Sequence, residues 1–147
     1  MIKTTAPGKV VLWGEYAVLA GAAAGVMALN TPATVAASRS TDDAWHFSSQ
    51  GFGAEPVSCP ANELPKNTAT ALLAAVLRHW GFGSLDQCGQ AMRVHTDSSA
   101  FFQESQKLGL GSSAAVCAAT YRLLCELTAR IPTLTEAMAI HKHWQGG

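Results

Sequence analysis

The last third of the chain contains a segment with charge at only three positions, Arg122, Glu126 and Arg130, which lie four residues apart. Side chains at that spacing fall on one stripe of an α-helix. Nearly every other side chain in the segment is apolar or small. A helix of this composition has to be covered on almost all sides. We therefore expect it to begin at residues 112–113 and to form the centre of the fold.

The first third of the chain is typical of β-structure. Short runs, apolar or alternating between apolar and polar side chains, are separated by turn-forming pairs such as Pro7-Gly8 and Thr31-Pro32. These runs predict strands at residues 3–6, 10–14, 25–30 and 33–38. Two later runs, at residues 45–48 and 90–96, predict further strands.

Two other segments carry signals of a helix. Between residues 67 and 80 apolar side chains recur every three or four positions, and Gly81 provides a stop signal. Thr133 and Glu136 form a capping box, which predicts a helix that runs from there toward Gly146. Because the strands precede the helices rather than alternate with them, the sequence predicts an α+β domain.

Charge and hydropathy exclude several classes of protein. Ten Lys and Arg residues balance ten Asp and Glu residues, so bulk attraction to nucleic acid or to an anionic membrane is not expected. The longest uncharged apolar stretch, residues 17–29, is shorter than the roughly 20 residues that span a bilayer. No secretory signal is recognisable, so we expect a cytoplasmic protein. The four cysteines lack C-x-x-C spacing, which favours buried thiols over a zinc site.

The segment Gly109-Leu-Gly-Ser-Ser-Ala-Ala115 opens the central helix. Its glycines allow backbone conformations that other residues avoid, and the first amide groups of a helix have no partner inside that helix. These amides and the positive end of the helix dipole are suited to binding phosphate. From the loop alone, a glycine turn followed by serine capping is an equally good interpretation.

Two familiar phosphate-binding motifs do not describe this loop. The Walker A pattern G-x-x-x-x-G-K-[ST] does not occur in the sequence, which excludes a P-loop ATPase. The loop fits the G-x-G-x-x-A pattern of dinucleotide-binding folds, but that motif requires a strand leading directly into its first glycine. Residues 101–107 are mostly polar instead, and no acidic strand end follows at the required distance.

Two motifs together resemble a known family. The first is Ala6-Pro-Gly-Lys-Val-Val-Leu-Trp-Gly-Glu-Tyr-Ala-Val-Leu19, and the second is Lys107-Leu-Gly-Leu-Gly-Ser-Ser-Ala-Ala-Val116. They are similar, in this order, to the first two signature motifs of the GHMP kinases, the superfamily of galactokinase, homoserine kinase, mevalonate kinase and phosphomevalonate kinase. The resemblance implies the ribosomal protein S5 domain 2-like α+β fold, with a mixed or antiparallel sheet and helices on one face, for one N-terminal domain over residues 1–147.

Within that superfamily the chain resembles phosphomevalonate and mevalonate kinases. Gly14-Glu-Tyr16 replaces the Gly-Glu-His of most mevalonate kinases, and Lys107 stands two residues before the glycine loop, as in phosphomevalonate kinases. The segment His141-Lys-His-Trp-Gln-Gly-Gly147 resembles the one that leads into the family's Gly-Ser-Gly-x-Asp-Val-Ala motif. That motif carries the catalytic aspartate. We therefore expect a domain that is incomplete at its C-terminal end and lacks a full catalytic centre.

The resemblance also implies cofactors, a reaction and residue roles. The cofactors are ATP and Mg²⁺, and the reaction is transfer of the γ-phosphoryl group to a small molecule, phosphomevalonate or mevalonate. Lys9 and Lys107 correspond to catalytic residues, and Glu15 and Tyr16 correspond to residues on the acceptor side. Nucleotide binding is assigned to Lys107, Leu108, Gly109, Leu110, Gly111, Ser112, Ser113 and Ala114, and Mg²⁺ binding to the Ser113 hydroxyl.

The residues themselves leave alternatives open. Glu15 lies in an apolar region where a carboxylate needs a partner, so it either pairs with Lys9 or orients the acceptor. Tyr16 is adjacent to apolar residues and is equally suited to the core. The whole chain has an alternative function as an interaction domain that forms a homodimer through the face left bare by a missing C-terminal domain. In a third interpretation, a separate polypeptide supplies the missing aspartate.

Overall fold

A computed structural model of the chain describes residues 1–51, 55–104 and 106–145. Within these residues, five strands in one sheet and three α-helices form the framework. The strands of the sheet are β1 (Ile2–Trp13), β2 (Gly25–Arg39), β3 (Ala44–Gln50), β4 (Val57–Pro60) and β5 (Met92–Asp97). Two short strands, β6 (Phe102–Gln103) and β7 (Gln106–Lys107), form a separate hairpin. The helices are α1 (Ala71–His79), α2 (Ser112–Leu127) and α3 (Leu134–Trp144).

The sheet has the strand order β1-β2-β5-β3-β4. Its neighbouring strands are antiparallel except for β3 and β5, which are parallel. This mixed sheet, together with the helices, confirms the predicted α+β class. Because successive side chains of a strand point to opposite faces, each strand presents one set to the helices and another set to the open face. Val35, Trp45 and Val94 belong to the first set and are buried.

β1 and β2 are longer than the sequence predicts. Each joins two predicted strands into one, so the boundaries predicted at Pro7-Gly8 and Thr31-Pro32 are wrong. The two prolines stand opposite each other, and the register shifts just after Pro7. Proline is tolerated here because β1 is an edge strand and because β2 pairs with β5 only over residues 34–39.

α2 is the central helix, as its composition predicts. It packs against both β1 and β2, and its charged residues Arg122 and Glu126 are exposed. The buried hydroxyl of Thr4 in β1 donates a hydrogen bond of 2.6 Å to the carbonyl oxygen of Ala119 in the middle of α2. This contact ties the helix to the edge strand at a point that is shielded from water.

α1 begins later than the apolar periodicity predicts. Residues Thr68–Thr70 form a 3₁₀ turn, and the side chain of Asn67 accepts a hydrogen bond of 3.0 Å from the backbone N–H of Thr70. The α-helix then runs over Ala71–His79, and four of the predicted apolar positions, Leu72, Leu73, Val76 and Leu77, are buried. An asparagine-capped turn therefore takes the place of a regular first turn of helix.

α3 begins with one half of the predicted capping box. The Thr133 hydroxyl accepts a hydrogen bond of 3.2 Å from the Glu136 N–H, and Leu134 is the first helical residue. The other half is wrong, because the Thr133 N–H donates to the Tyr121 hydroxyl and not to the Glu136 side chain. The predicted end of this helix at Gly146 lies outside the described residues. None of the described helices is long and apolar enough to cross a membrane.

The four cysteines confirm the prediction of buried thiols. Cys59, Cys88, Cys117 and Cys125 are all free and buried. Burial raises the pKa of Cys88 and of Cys117 to about 11. Both thiols are therefore uncharged at neutral pH, and they serve as small packing groups.

The Glu136 carboxylate connects the three described helices. Its Oε1 accepts a hydrogen bond of 2.7 Å from the Tyr121 hydroxyl of α2 and one of 3.1 Å from the indole N–H of Trp80, which follows α1. The Tyr121 oxygen accepts a hydrogen bond of 3.0 Å from the Thr133 N–H. The Arg130 guanidinium lies 4.3 Å from the centre of the Trp80 ring. The hydrogen bond from Tyr121 lowers the pKa of Glu136, and that from Trp80 adds to the effect.

We predict that Glu136→Gln lowers the free energy of unfolding by about 1 kcal/mol at neutral pH, because a charged hydrogen-bond acceptor is lost at a partly exposed position. The folded-state pKa of Glu136 is lowered. Its contribution is therefore present above the ordinary glutamate pKa of about 4.3 and is lost as the pH falls through the folded value. Urea denaturation at neutral and acidic pH measures both effects. The exposed Glu126→Gln on α2 is the control, and equal effects of the two changes would contradict the prediction.

Candidate functional site

The glycine loop has the backbone conformation that its sequence predicts. Gly109 and Gly111 both lie in the left-handed region, with φ of 70° and 78°. The first hydrogen bond of α2 joins the Ala115 N–H to the Gly111 carbonyl oxygen at 3.1 Å. In the described part of the chain no side chain caps this end of the helix, so the serine-capping interpretation does not apply. The amides of residues 112–114 are left without a partner inside the helix.

β1 is joined to this loop at Gly8 and Lys9. The Lys9 N–H donates a hydrogen bond of 2.8 Å to the Leu110 carbonyl oxygen. A Cβ at position 8 would lie 2.6 Å from that oxygen and 2.6 Å from the Phe101 ring, so glycine is required for the close approach. The Lys9 side chain covers Gly111, where an added Cβ would lie 3.1 Å from Lys9 Cγ and Cε. The fold thus brings Lys9 to the loop from the other end of the sequence.

Lys107 also lies at this end of α2. It is the last residue of β7, and the next residue, Leu108, donates its N–H to the Phe101 carbonyl oxygen at 2.9 Å. Lys107, Ser112 and Ser113 line one cavity together. Two lysine side chains and the positive end of the helix dipole therefore concentrate positive charge around the start of α2.

The cavity has a volume of about 220 Å³ and lies between the sheet, α1 and the start of α2. Much of its wall is apolar, with Val35, Leu72 and Val116 among its members. Several hydroxyl groups interrupt the apolar wall: Ser49, Thr68, Thr70, Thr96, Ser98 and Thr120. Ser49 Oγ is buried and has no hydrogen-bond partner among the described residues. A buried hydroxyl without a partner is suited to a hydrogen bond with a ligand.

Apart from Lys107, Ser112 and Ser113, sequence reasoning missed the residues of this cavity. They come from strands and helices that are far apart in the chain, and the strand order brings them together. One local signal was present, because Asn67 stands three residues before Thr70 in an N-cap pattern. That pattern predicts where the first turn of the helical segment begins, but it does not predict a cavity beside it.

Glu15 and Tyr16 lie in the turn after β1 and not in a strand. Gly14, with φ of 80°, ends the strand pairing, and a 3₁₀ turn follows over Ala17–Ala20. Glu15 is exposed and no ion pair joins it to Lys9, so the expected pairing is wrong. Tyr16 is 80% exposed, which excludes the alternative role in the core. The assignment of both residues to an acceptor stays a prediction.

The assignment of Mg²⁺ to the Ser113 hydroxyl stays a prediction. The described residues contain no group of three or more His, Cys, Asp or Glu side chains that could hold a metal ion. A metal site made of protein ligands alone is therefore not built into this part of the chain. Mg²⁺ that accompanies a nucleotide needs fewer protein ligands, because it keeps several waters and binds phosphate oxygens. A hydroxyl beside the helix amides fits that arrangement.

One family of known proteins matches the sequence. The family described as the GHMP kinases N terminal domain matches residues 67–145, which include the glycine loop and all three α-helices of the described chain. None of the curated protein sequences matches the chain.

Solved structures share the fold over almost the whole chain. Streptococcus pneumoniae phosphomevalonate kinase in complex with phosphomevalonate and AMPPNP is 20% identical, with a TM-score of 0.74 over 98% of this chain and 42% of that chain. Methanococcus jannaschii mevalonate kinase is 17% identical, with a TM-score of 0.77 over 98% and 45%. The Lin0012 protein from Listeria innocua is 26% identical, with a TM-score of 0.73 over 99% and 42%. These likenesses confirm the ribosomal protein S5 domain 2-like fold, and the chain spans less than half the length of each of these proteins.

We predict that Gly8→Ala destabilises the protein by about 1–3 kcal/mol, because a methyl group is forced against a backbone oxygen and a buried aromatic ring. It should also weaken the hydrogen bond from the Lys9 N–H to Leu110. Chemical denaturation measures the first effect, and faster amide hydrogen exchange at Lys9 measures the second. Gly83→Ala is the matched control, since a Cβ there would be 3.7 Å from its nearest neighbour. Unchanged exchange at Lys9 in the Gly8 variant would contradict the proposed junction.

Proposed function

The chain belongs to the GHMP kinase N-terminal domain family, and from this premise we propose that it binds ATP through residues 107–114 for phosphoryl transfer to a small molecule. The acceptor in this proposal is phosphomevalonate or mevalonate. The observation that carries the proposal is the start of α2. There, three amides without helical partners, two glycines at positive φ and the Lys9 side chain surround one backbone loop.

The start of α2 is suited to the phosphate chain of the nucleotide. Backbone N–H groups at a helix start donate to phosphate oxygens, and the helix dipole favours negative charge there. The absence of a side chain at Gly109, where nothing lies within 4 Å of an added Cβ, lets phosphate approach the backbone closely. Lys9 lies directly against Gly111, where its ammonium group can neutralise charge that develops during transfer. Lys107 adds a second charge from the cavity side.

The adjacent cavity is suited to the base of the nucleotide. Its apolar walls match a flat aromatic ring, and its scattered hydroxyls match the polar edge of a base. The Ser49 hydroxyl, which has no partner in the described part of the chain, is our candidate for a hydrogen bond to that edge. Ser112 and Ser113 line the cavity at the loop. A nucleotide bound in this way places its phosphates at the helix and its base between sheet and helices.

The acceptor belongs, in this proposal, to the side of the loop occupied by the end of β1. Glu15 and Tyr16 follow β1 directly and are exposed, so their side chains are available to a ligand. The Streptococcus pneumoniae relative was solved with phosphomevalonate and a nucleotide analogue, which supports this class of acceptor.

We predict that titration calorimetry detects Mg-ATP binding at nucleotide concentrations in the millimolar range. Lys9→Met should weaken this binding about tenfold, because one charge-assisted contact to phosphate is lost. Lys3→Met, which removes the same charge from the same strand six residues earlier, is the matched control.

The absence of heat from the native protein would contradict nucleotide binding at the loop. Equal effects of the Lys3 and Lys9 changes would show that the loss reflects net charge and not a contact. A linked assay of ADP release measures transfer separately, and release that depends on phosphomevalonate or mevalonate would support the proposed acceptor.

A second candidate function is self-association, and a cluster of exposed apolar residues favours it. Leu12, Trp13, Val26 and Met27, which we call the hairpin patch, are between 47% and 62% exposed. They lie together at one end of the β1–β2 pair, where Val11 is opposite Val26. Because Val26 and Met27 are successive residues of β2, the hairpin patch exposes apolar side chains on both faces of the β1–β2 pair. Exposed apolar surface is typical of a protein interface.

We predict that, if the hairpin patch mediates self-association, the native protein is a dimer and the double change Leu12→Ser, Val26→Ser makes it a monomer. Multi-angle light scattering measures the mass directly. Met138→Ser on α3 removes an apolar side chain that is 63% exposed elsewhere, and it should leave the dimer intact. A native protein that is monomeric at every concentration tested would exclude this candidate function.

A further inference from the structure

The face of the sheet opposite the helices contains a second cavity, of about 340 Å³. Its walls come mainly from β2, β5, β3 and β4. One row of directly opposed residues crosses these four strands: Ser38, Arg93, His46 and Ser58. Adjacent strands are about 4.8 Å apart, so each of these side chains lies beside the next. All four line the cavity.

His95 adds a second imidazole ring to this cavity. It follows Arg93 by two residues on β5, so the two side chains lie on the same face with their Cα atoms about 7 Å apart. The Ser48 hydroxyl lies 2.8 Å from His95 Nδ1. When that hydroxyl donates to Nδ1 of the neutral ring, Nε2–H is left as a donor. Ala36, opposite His95 on β2, has a small side chain and leaves room for a ligand.

His46 is held in position by two partners. Its Nε2 lies 2.8 Å from Asp42 Oδ1, and its Nδ1 lies 2.8 Å from Ser58 Oγ. The hydrogen bond from His46, with others from the Ala44 N–H and the Ser40 hydroxyl, lowers the pKa of Asp42 to about 2. Asp42 is therefore an ionised acceptor at neutral pH, and it fixes the ring that in turn orients the Ser58 hydroxyl.

Arg93 brings positive charge to the lining of the cavity. No carboxylate of the described residues lines it. The Arg93 guanidinium donates a hydrogen bond of 3.2 Å to the Thr41 hydroxyl, and within the described ranges it forms no ion pair. Two carboxylates of the same region already have partners. Asp42 is bonded as described above, and Asp97 accepts hydrogen bonds of 2.9 and 2.6 Å from the N–H and the hydroxyl of Ser99.

We propose that this cavity binds the phosphate group of a small phosphate monoester. Arg93, Ser38 and His95 form a triangle with sides of about 5 to 8 Å between backbone positions, which suits donors around one tetrahedral group. Arg93 provides a fork of N–H donors, His95 provides its Nε2–H, and the Ser38 hydroxyl donates from the neighbouring strand. His46 is not one of the donors, because both of its ring nitrogens are bonded to Asp42 and Ser58.

This cavity is separate from the site at the glycine loop. None of residues 109–115 lines it, and it opens on the other face of the sheet. Phe47 and Val94 contribute to the walls of both cavities, because they belong to the strands that lie between them. The two sites can therefore be tested independently, and failure of nucleotide binding at the loop leaves this proposal untouched.

Nuclear magnetic resonance of the imidazole signals tests the proposal on the native chain. The signals of His46 and His95 are assigned with the variants His46→Gln and His95→Gln. Phenyl phosphate is then added at constant pH and ionic strength, without nucleotide or Mg²⁺. We expect the His95 signal to shift and to saturate. Arg93→Gln should weaken the apparent affinity about tenfold, whereas Arg39→Gln, the same change on the neighbouring strand outside the cavity, should alter it less than about twofold.

Further variants and a second ligand also test whether phosphate binds in this cavity. Lys9→Met should leave the His95 shift unchanged, and its loss in that variant would show that the phosphate binds at the loop instead. A shift that does not saturate, equal effects of the Arg93 and Arg39 changes, or equal affinity for benzoate would each overturn the proposal. If Arg93→Gln fails to fold, Arg93→Lys carries the test, because it keeps the charge and loses the fork, and affinity should still fall by more than in Arg39→Gln.

Discussion

The hydrogen bond from the Lys9 N–H to the Leu110 carbonyl oxygen is the contact on which the candidate site depends. It joins the edge strand of the sheet to the loop that opens the central helix, at 2.8 Å. The close approach requires a glycine at position 8, because a Cβ there would meet the same carbonyl oxygen. Once the backbones are joined, the Lys9 side chain has to lie across Gly111. One backbone contact thus sets the position of a charge relative to three helix amides.

The rest of the fold keeps the start of α2 from moving. Thr4, five residues before Lys9, donates its buried hydroxyl to the Ala119 carbonyl oxygen halfway along the helix. Two residues further along the helix, Tyr121 is bonded to Glu136, which also accepts from Trp80. A helix held at its start and at its middle presents amides in a fixed geometry. Fixed dipoles stabilise a bound or developing charge without the cost of reorganising around it, which is the main advantage that a protein site has over water.

The sequence predicts those parts of this arrangement that depend on local spacing. The start of α2, the Thr133 capping interaction and the strands β3 and β5 follow from patterns within a few residues, and they are confirmed. Other features cannot be predicted from such local patterns. Pro7-Gly8 is a turn signal that fails, because an edge strand does not need the missing N–H. Glu15 is predicted to need a partner because its neighbours are apolar, although Gly14 has already turned the chain toward solvent. The cavities depend on which strands become neighbours, and no local pattern contains that information.

The register of the sheet determines which residues line each of the two cavities. On β5, Val94 and Thr96 line the cavity under the helices, while Arg93 and His95 line the one on the open face. β3 divides in the same way, since Ser49 faces the helix side and His46 the open side. Because side chains alternate strictly along a strand, a slip of one residue would exchange the two sets and place Arg93 in the apolar core. Burial of an unpaired guanidinium is costly enough to exclude that register. The apolar core therefore also determines which polar side chains lie on the open face. The register of the sheet holds these side chains in place, so they do not have to stabilise the fold themselves.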